Sequence, residues 1–115
     1  MNSVTLPWPP AALKPNGAHG HWAGKSNAAK KYRGDCLVLA KAAKLRLPVG
    51  SVELWLHFCP PDKRRRDLDN MLASFKQGID AVAEALGVDD YGFGYRLFRG
   101  EPVKHGQVIV RVEAA

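Results

Sequence analysis

Apolar and polar positions repeat along this chain at two different periods, and the switches between them mark its elements. Val52, Leu54, Leu56 and Phe58 alternate with Glu53, Trp55 and His57, the period of a half-buried strand, and Pro60-Pro61 ends the run. Val108, Val110 and Val112 alternate in the same way within residues 107–113. Residues 95–99 carry a further strand pattern, and a Gly- and Pro-containing turn joins the two. Near the N-terminus Val4-Thr5-Leu6 predicts a short strand stopped by Pro7, Pro9 and Pro10, which cannot donate to a ladder. Helical spacing governs the rest. Leu68, Leu72, Phe75, Ile79, Val82 and Leu86 recur at steps of three and four, one apolar stripe with Gly87 as its stop. Tyr32, Cys36, Leu39, Ala43 and Leu47 predict an earlier helix, capped by Ser26 or Asn27 and closed by Pro48. Residues 11–25, rich in Pro, Gly, Asn and His, read as a long loop. The order strand, helix, strand, helix, strand, strand predicts an α+β domain: a small mixed sheet of about four strands with two main helices.

Composition narrows the class. At 115 residues, 46% of them hydrophobic, the chain has room for one domain, 1–115, with its own core. Its formal charge of +6 points to a polyanionic partner, and the distribution sharpens this. Residues 1–50 hold eight bases, among them Lys30, Lys41 and Lys44 on one polar side of the first helix, against the single acid Asp35. The remaining residues are nearly balanced in charge. Cys36 and Cys59 sit in apolar surroundings without metal-ligand spacing, as in a reduced cytoplasmic protein. No signal-peptide pattern or membrane-length apolar run interrupts the chain, so a soluble, intracellular protein is expected.

The chemistry concentrates at Lys63-Arg64-Arg65-Arg66-Asp67-Leu68-Asp69-Asn70, four cations directly before two carboxylates. On extended backbone Asp67 and Asp69 point the same way and can share a metal; on a continuous helix they diverge by about 200°. The pair therefore belongs at a helix entrance. Hard oxygen ligands favour Mg²⁺ or Mn²⁺, and nothing supplies the Cys/His set of a zinc site. A simpler role, a helix cap favoured by the dipole, is open to either aspartate. If the helix is continuous, Lys76 lies at about −20° and Asp80 at about +20° from Asp69, a polar row beside the buried stripe. Lys76 then either reaches a substrate phosphate or serves as the i,i+4 partner of Asp80. Past Gly87, Val88-Asp89-Asp90 adds acids, and Asp90 can complete a three-carboxylate site if the chain turns back.

Taken together these segments resemble the RusA family of Holliday junction resolvases. The pieces are Leu6-Pro7-Trp8-Pro9-Pro10, Asp67-Leu68-Asp69-Asn70 after a basic run, Lys76 ahead of Asp80-Ala81, and Leu86-Gly87-Val88-Asp89-Asp90, in family order. The resemblance implies a RusA-like fold and a homodimeric, Mg²⁺-dependent endonuclease acting on branched DNA. It implies Asp67, Asp69 and Asp90 as metal-binding acids and Lys76 as the catalytic lysine. Some members carry that lysine three residues after the Asn; here Ala73 holds that place and Lys76 comes six residues after Asn70. Lys63, Arg64, Arg65, Arg66, Lys30, Lys41 and Lys44 are expected on backbone phosphates. His19 and His21 receive no catalytic role. Loop aromatics such as Trp8, Trp22, Tyr91 and Phe93 are available to a dimer interface.

Two other classes fit parts of the pattern. A basic module that grips nucleic acid without cutting it would use its aspartates only as caps. A metal-dependent phosphotransferase would need a glycine-rich phosphate loop or a nucleophile, and the chain offers neither.

Overall fold

The computed structural model describes residues 1–15 and 22–115, with the backbone alone at 22 and 23. Its elements run β1 (Ser3–Pro7), a single 3₁₀ turn at Ala11–Leu13, α1 (Trp22–Ala42), β2 (Val52–Cys59), α2 (Leu68–Ser74), α3 (Lys76–Leu86), a 3₁₀ turn at Asp90–Gly92, β3 (Gly94–Arg99) and β4 (Gln107–Ala114). The four strands form one mixed sheet in the order β1-β4-β2-β3. β4 is antiparallel to both β1 and β2, whereas β3 is parallel to β2. This is the expected α+β class, with one change of neighbours. β3 and β4 are not paired with each other, because β2 lies between them. A parallel β2–β3 pair requires a crossover, which α2 and α3 supply. Among the described residues no helix is long and apolar enough to cross a membrane.

The strand alternation buries one face of the sheet. Leu54 pairs with Val112, Leu56 with Val110 and Phe58 with Val108, so apolar side chains stand opposite each other across the central strands. Val4 and Leu6 extend this layer through β1. α1 and α3 cover it with Tyr32, Cys36 and Ala40 from one helix and Ile79, Ala81 and Val82 from the other. Trp55, His57 and Phe98 lie on the opposite face, where Arg96 and Arg111 stack on Trp55.

Both helices depart from the expected limits. α1 begins at Trp22, earlier than Ser26, and ends at Ala42, where the left-handed backbone of Lys44 (φ 53°) turns the chain away. Its buried positions are Tyr32, Cys36 and Ala40, a straight i,i+4 row, while Leu39, Ala43 and Leu47 are exposed. Lys44 therefore leaves the helix, and only Lys30 and Lys41 share a face of it, about 20° apart. The second helix is two. The chain breaks at Phe75 (φ −93°, ψ 6°) between α2 and α3. Phe75 is fully buried edge-on to both Tyr32 and Phe58. Its ring lies over Gly78, where a Cβ would stand 2.3 Å from Cε1. Filling the core with this ring takes precedence over an unbroken helix.

Candidate active site

β2, an inner strand, ends at Cys59, and the next seven residues form a cationic strap before α2. Asp62 organises the strap. Its carboxylate accepts from Arg66 Nη1 at 2.8 Å and from the Arg64 guanidinium at 3.1 and 3.2 Å. The two arginines hold the Asp62 carboxyl well below the usual carboxylate range, Arg66 contributing most. Arg66 also donates to the carbonyls of Asp62 and Arg64 and lies over the Trp8 ring at 5.7 Å. Only 15% of its side chain is exposed, so Arg66 is chiefly a structural cation. Arg65, by contrast, is 93% exposed, with its Nε 3.8 Å from Asp67. Lys63 is exposed as well. The alternation Asp62-x-Arg64-x-Arg66 is the sequence signal for this cluster, and reading the four cations as a uniform phosphate grip passes it over.

Asp67 is the N-cap residue of α2, with extended backbone (φ −84°, ψ 141°), and Asp69 lies in the first helical turn. The pair thus occupies the helix entrance, as expected. Asp67 makes no capping hydrogen bond with its side chain, which leaves its oxygens turned to other partners.

Lys76 opens α3 and joins the far acids. Its ammonium donates to Asp80 Oδ1 at 2.8 Å and to Asp90 Oδ2. Asp80 first, then Asp90, push the lysine above its ordinary range, and Lys76 in turn lowers Asp90. Burial raises the neighbouring Tyr95, reinforced by the charge of Asp90. The chain does turn back after Gly87, as the Asp90 expectation required, because Gly87 adopts the left-handed conformation (φ 76°) and Asp89 caps the following 3₁₀ turn through Tyr91 N. The turn brings Asp90 to Lys76. Among the described residues no three His, Cys, Asp or Glu side chains are gathered closely enough to hold a metal ion, so Asp67, Asp69 and Asp90 are not drawn into one cluster. The expected row of Asp69, Lys76 and Asp80 is realised only in its second half. Among the described residues Asp69 makes no ion pair with Lys76, whose ammonium is shared by Asp80 and Asp90.

A cleft of about 550 Å³ opens beside Asp67. Arg64, Arg65 and Lys14 border it; Trp8, Pro9 and Met71 supply apolar wall. A second hollow continues past Ser74 and Pro15 to Lys25, Ala73 and Lys76. The two hollows share Pro15 and Ser74 in their linings and so adjoin as a trough, one at the Asp67 end of the broken helix and the other at the Lys76 end. His19 and His21 lie outside the described residues, and so does the side chain of Trp22. Trp8 and Phe93 pack against the core, whereas Tyr91 is 96% exposed.

Comparison with known proteins gives this arrangement a family. No protein-family model matches the chain. An uncharacterized protein of Xylella fastidiosa (strain Temecula1) is 44% identical over 117 residues, covering 97% of this chain and 76% of that protein. The crossover junction endodeoxyribonuclease RusA of Escherichia coli (strain K12) is 33% identical over 112 residues, 92% of this chain and 88% of that protein. Its counterpart from Enterobacteria phage 82 is 31% identical over 111 residues, with 91% and 88% covered. Matched at these identities over most of both chains, this chain belongs to the RusA family.

Proposed function

We propose that the protein is a divalent-metal-dependent endodeoxyribonuclease that resolves four-way DNA junctions by paired nicks, acting as a homodimer. The observation that carries this reading is the trough: it sets exposed cations beside Asp67 at one end and Lys76 at the other. Asp67 and Asp69 supply hard oxygen donors at a helix entrance, a donor set suited to Mg²⁺ or Mn²⁺. They would hold the ion, and Asp90 would be a third ligand. When bound, such an ion lowers the pKa of a water and neutralises charge on the scissile phosphate. Arg64 and Arg65 fix the DNA backbone in the trough, with Lys63 and, on α1, Lys30 and Lys41 adding phosphate contacts outside it. Lys76 would offer its ammonium to the negative charge that builds on the phosphate, with Asp80 holding it from four residues along α3. Arg66 holds the strap in shape.

The pairing of Asp90 with Lys76 favours a second reading, a basic module that binds nucleic acid without cutting it. Incubating the protein with a labelled four-way junction and a matched linear duplex, with Mg²⁺ and with EDTA, separates the two. The nuclease reading expects cutting of the junction alone and only with Mg²⁺. Binding that ignores EDTA, with no cutting under any condition, selects the binding module.

A further inference from the structure

The cleft beside Asp67 is much larger than a phosphate group. At about 550 Å³ it falls in the range of about 300–1,000 Å³ typical of pockets for small organic ligands. Its lining is also divided in a way that phosphate binding alone does not call for. Trp8, Pro9, Pro15 and Met71 make apolar wall, while Lys14, Arg64 and Arg65 gather positive charge against the one acid, Asp67. Between them Asn70 lines the same cleft. An amide offers two donors and an acceptor, enough to pair with the edge of a base.

The aromatic wall is built to stay in place. Trp8 stands edge-on to the buried Phe58, with ring centroids 6.3 Å apart, and Arg66 is stacked on it. Gly106, at φ 71°, presses so closely that a Cβ there would lie 2.9 Å from Trp8. A wall fixed in advance loses little freedom when a ligand arrives.

We propose that this cleft is a nucleobase pocket, which takes one unstacked nucleotide of the bound DNA strand beside the phosphate to be cut. The inference rests on the nuclease reading above and deepens it. A base inside a duplex shows only its edges; a base drawn out of the stack offers its faces to apolar walls and its pairing edge to Asn70, while its phosphate remains among the cations. Branch points suit such a pocket, because unstacking costs least where pairing is already interrupted.

The test is a scan with abasic sites. Four-way junctions carrying a single abasic site, moved one nucleotide at a time past the cut position, are titrated with the wild-type protein in EDTA. The pocket expects one position beside the cut where affinity falls about ten-fold, the effect of losing one stacked base. A free nucleotide as the true ligand would leave every abasic junction equal. The variant Ser74→Trp, which fills the cleft, should bind the intact junction as weakly as wild type binds that abasic one, and should not distinguish the two. A flat wild-type scan overturns the pocket, as does full discrimination by Ser74→Trp. The scan uses wild-type protein and reads binding, whereas the nuclease reading is judged by cutting with Mg²⁺, so the two fail separately.

Discussion

At the scale of single residues, the acids of this chain divide into two pairs. Asp80 and Asp90 share the ammonium of Lys76, while Asp67 and Asp69 stand at the start of α2 without a lysine between them. A positive charge between two carboxylates does the electrostatic work of a cation, so the Asp80–Asp90 pair is neutralised within the fold, whereas the Asp67–Asp69 pair meets only the exposed Arg65, 3.8 Å from Asp67, among the described residues. The second pair is therefore where an added ion gains most. Asp69→Asn is expected to reduce Mg²⁺-dependent junction cutting by at least about 100-fold, the scale of losing one charge-stabilising group. Binding in EDTA should be unchanged or tighter, since a negative charge near phosphate is gone. A variant that cuts at the wild-type rate would remove Asp69 from the site. A second residue governs stability. Burial pushes the Cys36 thiol from its ordinary 9.0 up to about 11, and Tyr32 beside it shifts the same way. A group whose folded pKa is raised stabilises the fold below its unfolded value and loses that contribution as pH climbs through the folded value. Urea midpoints should accordingly decline between pH 9 and 11, and Cys36→Ala should flatten that decline while lowering stability throughout. A midpoint that rises over the same interval would reverse the assignment.

At the scale of elements, the break between α2 and α3 decides how the site is divided. A single helix from Leu68 to Leu86 would have carried Lys76 on the face of Asp69; the break at Phe75 instead assigns Lys76 to the first turn of α3, within reach of Asp90. Gly78 permits this, since its missing side chain leaves the space that the Phe75 ring fills. In most helices Gly→Ala stabilises by about 0.5–1 kcal/mol. At Gly34 of α1, where an added Cβ meets nothing within 4 Å, the usual sign is expected. Gly78→Ala should instead destabilise by about 1–3 kcal/mol, because the ring it displaces is fully buried. Chemical denaturation of the two variants side by side checks the opposite signs, and a stabilising Gly78→Ala would mean that Phe75 has room to move.

At the scale of the whole molecule, a four-way junction needs two symmetric nicks, and one trough of this size addresses one strand. A two-fold homodimer is the economical solution. Among the described side chains of that set, Tyr91, 96% exposed on the turn that carries Asp90, is the aromatic left available to an interface, since Trp8 and Phe93 pack against the core. Sedimentation at micromolar concentration should give about twice the 12.6 kDa chain mass. A monomer that still makes paired nicks would refute the dimer; a monomer that nicks once would point to a general structure-specific nuclease.

What the amino-acid sequence determined by itself is local and periodic. The alternation around Leu54, Leu56 and Phe58 and at Val108, Val110 and Val112 set which side of each strand enters the core, because a strand's side chains must alternate. The DxDN segment located the helix entrance for the same kind of reason: Asp67 and Asp69 share a side only on extended backbone. Tertiary structure decided what depends on residues far apart in the chain. The placing of β2 between β3 and β4 follows from sheet pairing, which no short window records. Leu39 within α1 and Leu47 beyond its end at Ala42 are exposed despite their spacing, because the space over the sheet is filled by Tyr32, Cys36, Ala40 and the neighbouring α3. The break at Phe75 belongs to the fit of one ring against Tyr32, Phe58 and Gly78. The meeting of Lys76 with Asp90 then required that break and the left-handed turn at Gly87 together. Side-chain period is a property of the backbone, legible wherever it runs; which charge meets which is settled only when separate elements pack.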